Sequence, residues 1–295
     1  MNSFNPELFR WNAAETYKWH CFDRITVATV TWNRLDHTRT FLDSHFRSAV
    51  VPHEVLVVDN GSTDGSVPFL RDYATEHPGM RVIENRRNVG LSRAQRQIRD
   101  AVTDGLVVMM DNDVRMLSSF WLVHLLKAYH AYRVVHGTLD AAFGVRLLNC
   151  EEYGFRYGEA REVLRVPHAE NSLPRTSYAA SSKDGDPGRL LDEEVVIAPT
   201  SHLIGPFTAM PASVLRQIRL DDAYPRPIGG ADAFISGELA RLGILMAYIE
   251  NGPVGRHEDW PYSQEKIALY GAAMKTRAVT DFSYLKWKLR RLLFR

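Results

Sequence analysis

No stretch of about 18 apolar residues occurs in the chain, so no segment is long enough to cross a bilayer as a helix. Cysteine is nearly absent: Cys21 and Cys150 are the only two, far apart and without metal-ligand spacing. That removes a disulfide framework and a zinc-finger-type site, and makes a reducing compartment the default. An excess of charge of one sign is missing too, since 36 Lys and Arg against 35 Asp and Glu leave a formal +1. Without a basic field a nucleic-acid partner ranks low. The first 24 residues lack the apolar core of a signal peptide, carrying Glu7, Arg10, Glu15, Lys18 and Asp23 among aromatics, and a cytoplasmic protein is expected. Internal repeats and low-complexity tracts are not seen.

What is present is an ordinary globular composition, 45% hydrophobic and 11% aromatic over 295 residues, enough to fill one large core or two small ones. The central stretch is Leu106 to Val114, Leu-Val-Val-Met-Met-Asp-Asn-Asp-Val. Its apolar run predicts a strand buried on both faces of a parallel sheet, ending in acid. Asp111 and Asp113 are two apart, so extended geometry carried past Met110 points both carboxylates the same way. Ligands of open α/β sheets bind at the carboxyl ends of the strands, which suggests a hard divalent metal there. The alternative is that Asp-Asn-Asp caps a helix beginning near Ser118.

Strands are predicted over Ile25 to Thr31, Glu54 to Asp59 and Met80 to Glu84, with helices from Leu35 to Val50, Ser66 to His77 and Asn88 to Val102. Short βα units in succession are the pattern of a parallel, nucleotide-binding sheet. No G-x-G-x-x-G follows the first strand, which disfavours a dehydrogenase. The loop there, Trp32-Asn33-Arg34-Leu35, is not the Gly-rich loop of a sugar-phosphate nucleotidyltransferase. Further on, a helix from Ser118 to Arg133 and a strand over Ala141 to Leu148 precede residues 150–192, which lose periodicity and read as an acceptor-side loop or lid or as a disordered surface excursion. Then come apolar segments at Val195 to Pro199 and His202 to Met210, a helix from Pro211 to Ile218, another from Gly229 to Leu242, a strand at Ile244 to Ile249, and a loop from Gly252 to Trp260.

Five segments, in order, carry a resemblance: Val30-Thr31-Trp32-Asn33-Arg34; Val57-Val58-Asp59-Asn60-Gly61-Ser62-Thr63-Asp64; Asn88-Val89-Gly90-Leu91-Ser92; Met110-Asp111-Asn112-Asp113; and Pro211 to Leu215 followed by Asp221-Asp222 and Gly229-Gly230-Ala231-Asp232. Together they resemble the family 2 inverting glycosyltransferases of GT-A fold. The resemblance implies an α/β fold in which a GT-A type, Rossmann-like nucleotide-binding sheet is fused to an acceptor-binding half. Residues 1–24 are then an aromatic-rich extension, 25–262 the catalytic domain, divided into a nucleotide half (25–115) and an acceptor half (116–262) that holds the 150–192 loop, and 263–295 C-terminal helices with a basic tail.

The resemblance also implies roles. Asp113 ligates Mn²⁺ or Mg²⁺, and Asp111 shares the metal or contacts the ribose; His257 is a third ligand, where a lone histidine otherwise reads as a satisfied core or surface residue. A UDP- or dTDP-sugar is the implied donor, with Asp59 accepting from the pyrimidine ring. Further donor contacts are implied at Thr31, Asn33, Arg34, Asn60, Asp64, Asn88, Gly90 and Asn112. Taken alone, Asp64 reads as a helix cap and Gly90 as a helix-start turn. Asp232, which on position alone would be an N-cap, is implied as the general base toward a glycan, lipid-linked or small-molecule acceptor. The sequence departs from the family's pattern at Ala231, where Glu is common, and at Gln95-Arg96, where Arg-Asn is usual. The first departure keeps open a non-catalytic nucleotide-sugar or glycan-binding relative. Residues 282–295 alternate Leu or aromatics with Lys and Arg, the pattern of a basic amphipathic helix on an anionic membrane, of a solvated terminal helix or of an oligomer contact.

Overall fold

The computed structural model describes residues 21–48, 51–117, 120–152, 160–165, 194–220 and 231–259, with 264 and 268. The expected membrane-contacting tail, nearly all of the N-terminal extension and Asp221-Asp222 lie outside them. In chain order the strands are β1 (Ile25–Thr31), β2 (Glu54–Asp59), β3 (Met80–Glu84), β4 (Leu106–Met110), β5 (Val114–Met116), β6 (Ala141–Leu147), β7 (Glu162–Arg165), β8 (Glu194–Pro199), β9 (Phe207–Pro211) and β10 (Leu245–His257). The helices are α1 (Leu35–Ser48), α2 (Ser66–Glu76), α3 (Leu91–Ala101), α4 (Trp121–His136), α5 (Leu148–Glu152), α6 (Ala212–Leu215) and α7 (Ala231–Arg241).

All the strands join one ten-stranded sheet ordered β3-β2-β1-β4-β9-β6-β10-β8-β7, with β5 paired to β10. The first four neighbours are parallel, as the βα pattern predicts, and their register places Thr31 beside Asp59. Beyond β4 the sheet is mixed: β9 runs antiparallel to both β4 and β6. β4 is thus buried on both faces as expected, and it lies at the boundary between the parallel and the mixed part of the sheet.

Side chains alternate between two cores. Val27, Val55, Val57 and Val108 face the layer of α1, α2 and α4, whereas Ala28, Leu56, Val58 and Val107 face α3, α6 and α7. Strands covered on both faces need apolar residues throughout, which is why β4 reads Leu-Val-Val-Met-Met with every residue buried. Helix α4 is buried from Trp121 to Tyr132, the mark of a helix inside a large core. Phe22 packs edge-on against Tyr129 at 5.1 Å, bringing the end of the N-terminal segment onto α4.

Three expectations are corrected. β4 stops at Met110, and Asp111 to Asp113 form a turn closed by the Val114 N–H on the Asp111 carbonyl at 3.1 Å, so the aspartates do not sit on extended backbone. The Gly252 to Trp260 loop is mostly strand: β10 runs unbroken for 13 residues and absorbs Asn251-Gly252-Pro253 as an irregularity between Ile249 and Val254. Within 150–192, β7 is an antiparallel edge strand on β8 rather than loop; residues 166–192 lie outside the described chain.

Candidate active site

The turn after β4 is fastened from two directions. The Asp111 N–H donates to the Pro206 carbonyl at 3.0 Å, and β5 then pairs antiparallel with the end of β10, setting Val114 opposite His257. The Asn149 side chain grips the backbone of His257, donating to its carbonyl and accepting from its N–H at 3.0 Å. These contacts bring Asp111, Asp113 and His257 together with their ligand atoms all within 4.8 Å of one another. The structure thus assembles the three expected metal residues. It also removes the capping alternative, because β5 intervenes before α4, whose N-cap Phe120 makes no side-chain bond.

His257 Nε2 lies 3.0 Å from Asp113 Oδ1, both side chains almost fully buried. Burial disfavours the imidazolium, but the hydrogen bonds to Asp113 and Cys150 and the charges of Asp113 and Asp111 outweigh it, lifting the His257 pKa to about 9. Two carboxylates and an imidazole converging in a buried site make a donor set that fits manganese or magnesium.

Arg34 is engaged within the chain. Its guanidinium forks between two buried carboxylates, reaching Asp113 Oδ2 at 2.8 Å and Asp259 Oδ2 at 2.6 Å, with 8% of its side chain exposed.

The rest of the candidate site lies at the carboxyl ends of β1 and β2. Asp59 is fully buried; its Oδ1 accepts from the N–H groups of Gly61 and Ser62, while its Oδ2 has no partner among the described residues. A buried acceptor without a donor is uncommon in a folded protein. Gly61 holds φ +81° with the Arg87 backbone too close for any Cβ, so the turn requires glycine. Asn60 and Asn88 are bonded to each other, and Asn60 also to Asn85 and the Val89 N–H. Asn88 Oδ1 receives the Gly90 N–H as well, while its Nδ2 is buried without a partner among the described residues. Gly90, at φ 91° and ψ 151°, holds a backbone region essentially reserved for glycine.

Three expected donor residues are committed internally. Asn112 Nδ2 donates to Thr31 Oγ1 and Thr38 Oγ1 at 3.2 and 2.9 Å, tying the aspartate turn to β1 and α1. Asp64 accepts from the Leu35 N–H through Oδ2 and from Ser66 through Oδ1, so it serves both helix starts. Asn33 Oδ1 accepts from the Thr63 N–H.

Asp232 stands in the first turn of α7, partly exposed, its Oδ1 accepting from the Ala233 N–H and its Oδ2 3.8 Å from His202 Nε2. A Cβ on Gly205 would sit 3.4 Å from Asp232, and the next residue, Pro206, is the one that holds Asp111. Asp232 and the aspartate turn thus flank one short loop. Sequence reasoning missed His202, Asn149 and Asp259. Asp259, two residues after His257, offered the only local signal; the others are joined to the site by long-range contacts alone.

The sequence model of the family described as Glycosyl transferase family 2 matches residues 26–173. Among curated proteins, the uncharacterized glycosyltransferase YibD of Escherichia coli K12 is 28% identical over 91 residues, 31% of this chain and 26% of that protein. The match therefore spans about a quarter of that relative. Among solved structures, the Pyrobaculum calidifontis mannosyltransferase PcManGT with GDP-Man and Mn²⁺ aligns over 97% of this chain and 68% of its own at TM-score 0.52 and 18% identity. GalNAc-T7 with UDP, GalNAc and Mn²⁺ aligns over 79% and 43% at 0.53 and 13% identity. Staphylococcus aureus TarS 1-349 with UDP-GlcNAc aligns over 90% and 69% at 0.50 and 14% identity. These likenesses show the GT-A fold.

Proposed function

The chain belongs to glycosyl transferase family 2, and from that membership we propose that it is an inverting, metal-dependent transferase moving a sugar from a UDP- or dTDP-sugar to an acceptor hydroxyl. The observation that carries this reading is the convergence of Asp111, Asp113 and His257 at the carboxyl end of β4, with the unpartnered Asp59 oxygen at the same edge of the sheet, two strands away. Complexes of the structurally similar proteins with GDP-Man, UDP or UDP-GlcNAc are in keeping with a nucleotide-sugar donor.

In this reading Asp111, Asp113 and His257 hold Mn²⁺ or Mg²⁺, which supplies Lewis-acid stabilisation of the charge that builds on the departing diphosphate. Asp59 Oδ2 accepts the imide N–H of uracil or thymine, while Gly61 and Gly90 let backbone approach the nucleotide closely. Asp232 takes the proton of the acceptor hydroxyl. The acceptor oxygen bonds to the anomeric carbon as the bond to the diphosphate oxygen breaks, and its electron pair leaves with the diphosphate. Attack from the opposite face inverts the anomeric centre. One base suffices, and no protein nucleophile is needed. Because Asp232 has Ala231 beside it rather than a second acid, it carries the proton alone.

The acceptor is a glycan, lipid-linked or small-molecule hydroxyl. Among the described residues no helix is long and apolar enough to cross a membrane; the basic segment 282–295 is the part of the sequence suited to an anionic surface on the cytoplasmic side.

Titration calorimetry with UDP, dTDP and GDP, each with and without Mn²⁺, tests the reading. Binding of one pyrimidine diphosphate only in the presence of metal is expected. Absence of metal-dependent binding to all three would remove the donor site.

A further inference from the structure

We propose that Arg34 is a positioning residue of the metal centre: with Asp259 as its counter-charge, it fixes the Asp113 carboxylate through Oδ2 and leaves Oδ1 on the side of His257. The proposal rests on the reading of Asp111, Asp113 and His257 as metal ligands.

The geometry is specific to arginine. One terminal nitrogen meets Asp113 and the other meets Asp259, 2.8 and 2.6 Å away, a fork that a single ammonium does not reproduce. Asp113 Oδ1 lies on the other branch of the carboxylate, 3.0 Å from His257 Nε2. The two oxygens of Asp113 thus have separate partners, and one stays in place whatever the other ligates.

Charge argues the same way. An arginine beside a metal ligand would ordinarily repel the cation, but here Asp259 cancels it within hydrogen-bond distance. Arg34 orients Asp113 while adding no net charge. The Asp113 backbone is held as well, its carbonyl accepting from the Glu258 N–H at 2.7 Å. A buried guanidinium with both terminal nitrogens engaged is poorly placed to meet a donor diphosphate.

The backbone carries strain to achieve this. Asn33 and Arg34 are consecutive non-glycine residues at φ 58° and 63°, in the left-handed region. Such a conformation persists only where its surroundings over-determine it. Here the Asn33 N–H donates to Ser62 Oγ, Asn33 Oδ1 accepts from the Thr63 N–H, and the Leu35 N–H donates to Asp64 Oδ2. The Asn-Gly-Ser-Thr-Asp turn after β2 therefore sets the direction in which Arg34 leaves β1.

The test is Mn²⁺ affinity of wild type, Arg34→Gln, Arg34→Lys and Asp259→Asn, read from the paramagnetic resonance signal of free Mn²⁺, with UDP affinity measured at saturating Mn²⁺. A residue acting only as a counter-charge predicts opposite shifts: Arg34→Gln leaves Asp259 as an added negative group and tightens Mn²⁺ binding, while Asp259→Asn weakens it. Positioning predicts that both weaken it, by about tenfold or more, as for loss of other groups that orient metal ligands. UDP affinity at saturating Mn²⁺ stays that of wild type. Tighter or unchanged Mn²⁺ binding in Arg34→Gln overturns the proposal, and unchanged Mn²⁺ binding with weakened UDP binding makes Arg34 a donor contact instead. Circular dichroism accompanies each variant. Should Arg34→Gln fail to fold, Arg34→Lys decides, because it keeps the charge and loses the fork: weakened Mn²⁺ binding supports positioning, and wild-type Mn²⁺ affinity overturns the proposal. A wild-type protein that binds no Mn²⁺ overturns the metal centre and the proposal together; variants that match a Mn²⁺-binding wild type overturn the proposal alone.

Discussion

Val114 faces His257 across the β5–β10 ladder, so the imidazole reaches Asp113 by strand pairing rather than by a loop folding back. Backbone register fixes how far apart the two residues stand, and side-chain rotamers then place the ligand atoms. His257→Gln should therefore keep the fold and weaken Mn²⁺ binding by at least tenfold, about 1.4 kcal/mol. Asp113→Ala should abolish metal-dependent nucleotide binding. Calorimetric titration with Mn²⁺, then with UDP, separates the two effects, and chelation of the metal should reproduce the second in the wild type.

Asp232→Asn should leave donor and metal binding intact and lower transfer by about 10²- to 10⁴-fold, the usual contribution of a positioned general base. Product formation from radiolabelled donor measures it. Transfer at the wild-type rate would remove Asp232 from the reaction.

Asp59→Asn keeps an acceptor for the Gly61 and Ser62 amides but turns the unpartnered Oδ2 into a donor. Uracil offers N3–H and cytosine an N3 lone pair, so the variant should lose UDP affinity and gain CDP affinity. Competition between the two nucleotides reads the change directly.

His45 and His53 meet through their Nε2 atoms at 2.6 Å inside an aromatic cluster with Phe41, Phe46 and Trp121. Burial, with His53 adjacent, pushes the His45 pKa down to about 3. Unfolded His45 takes a proton near pH 6.5 while the folded residue does not, so the unfolded state binds more protons below that pH. Stability should fall as pH drops below about 6.5, by up to about 1.4 kcal/mol per unit from this group. Melting temperature against pH should be flatter between 6.5 and 4 in His45→Phe; an identical slope would assign the acid loss elsewhere.

Removal of residues 282–295 should abolish co-sedimentation with anionic vesicles and leave UDP binding unchanged. Five basic side chains in that segment, at about 1 kcal/mol each near such a surface, are enough to make the loss visible at low salt.

Much of the nucleotide half is legible because its strands lie between two helical layers. Leu106 to Met110 must be apolar throughout, and Glu54 to Asp59 and Ile25 to Thr31 follow the same demand. Membership of the glycosyltransferase family was legible from the motifs at the ends of those strands. The long-range parts were not. Asn251-Gly252-Pro253 looks like the end of a strand, and only pairing with β6, β8 and β5 carries β10 through it to His257. The aspartate turn depends on the Pro206 carbonyl, and Arg34 on Asp113 and Asp259, 79 and 225 residues away. Nothing near Arg34 announces either partner. Asp64 was legible as a helix cap and serves two helix starts, whereas the tie that Asn112 makes to Thr31 and Thr38 was not announced by its motif.

The reach of β10 has a consequence for biosynthesis. A ribosome-bound chain that has emerged through β4 already contains the sheet order β3-β2-β1-β4 and the part of the candidate site at the carboxyl ends of β1 and β2, but β5 has no partner until β10 arrives. His257 and Asp259 come last, so the centre closes only when that strand threads between β6 and β8. On the proposed reading, a chain that stops short of β10 carries only two of the three metal ligands and lacks the carboxylate that balances Arg34.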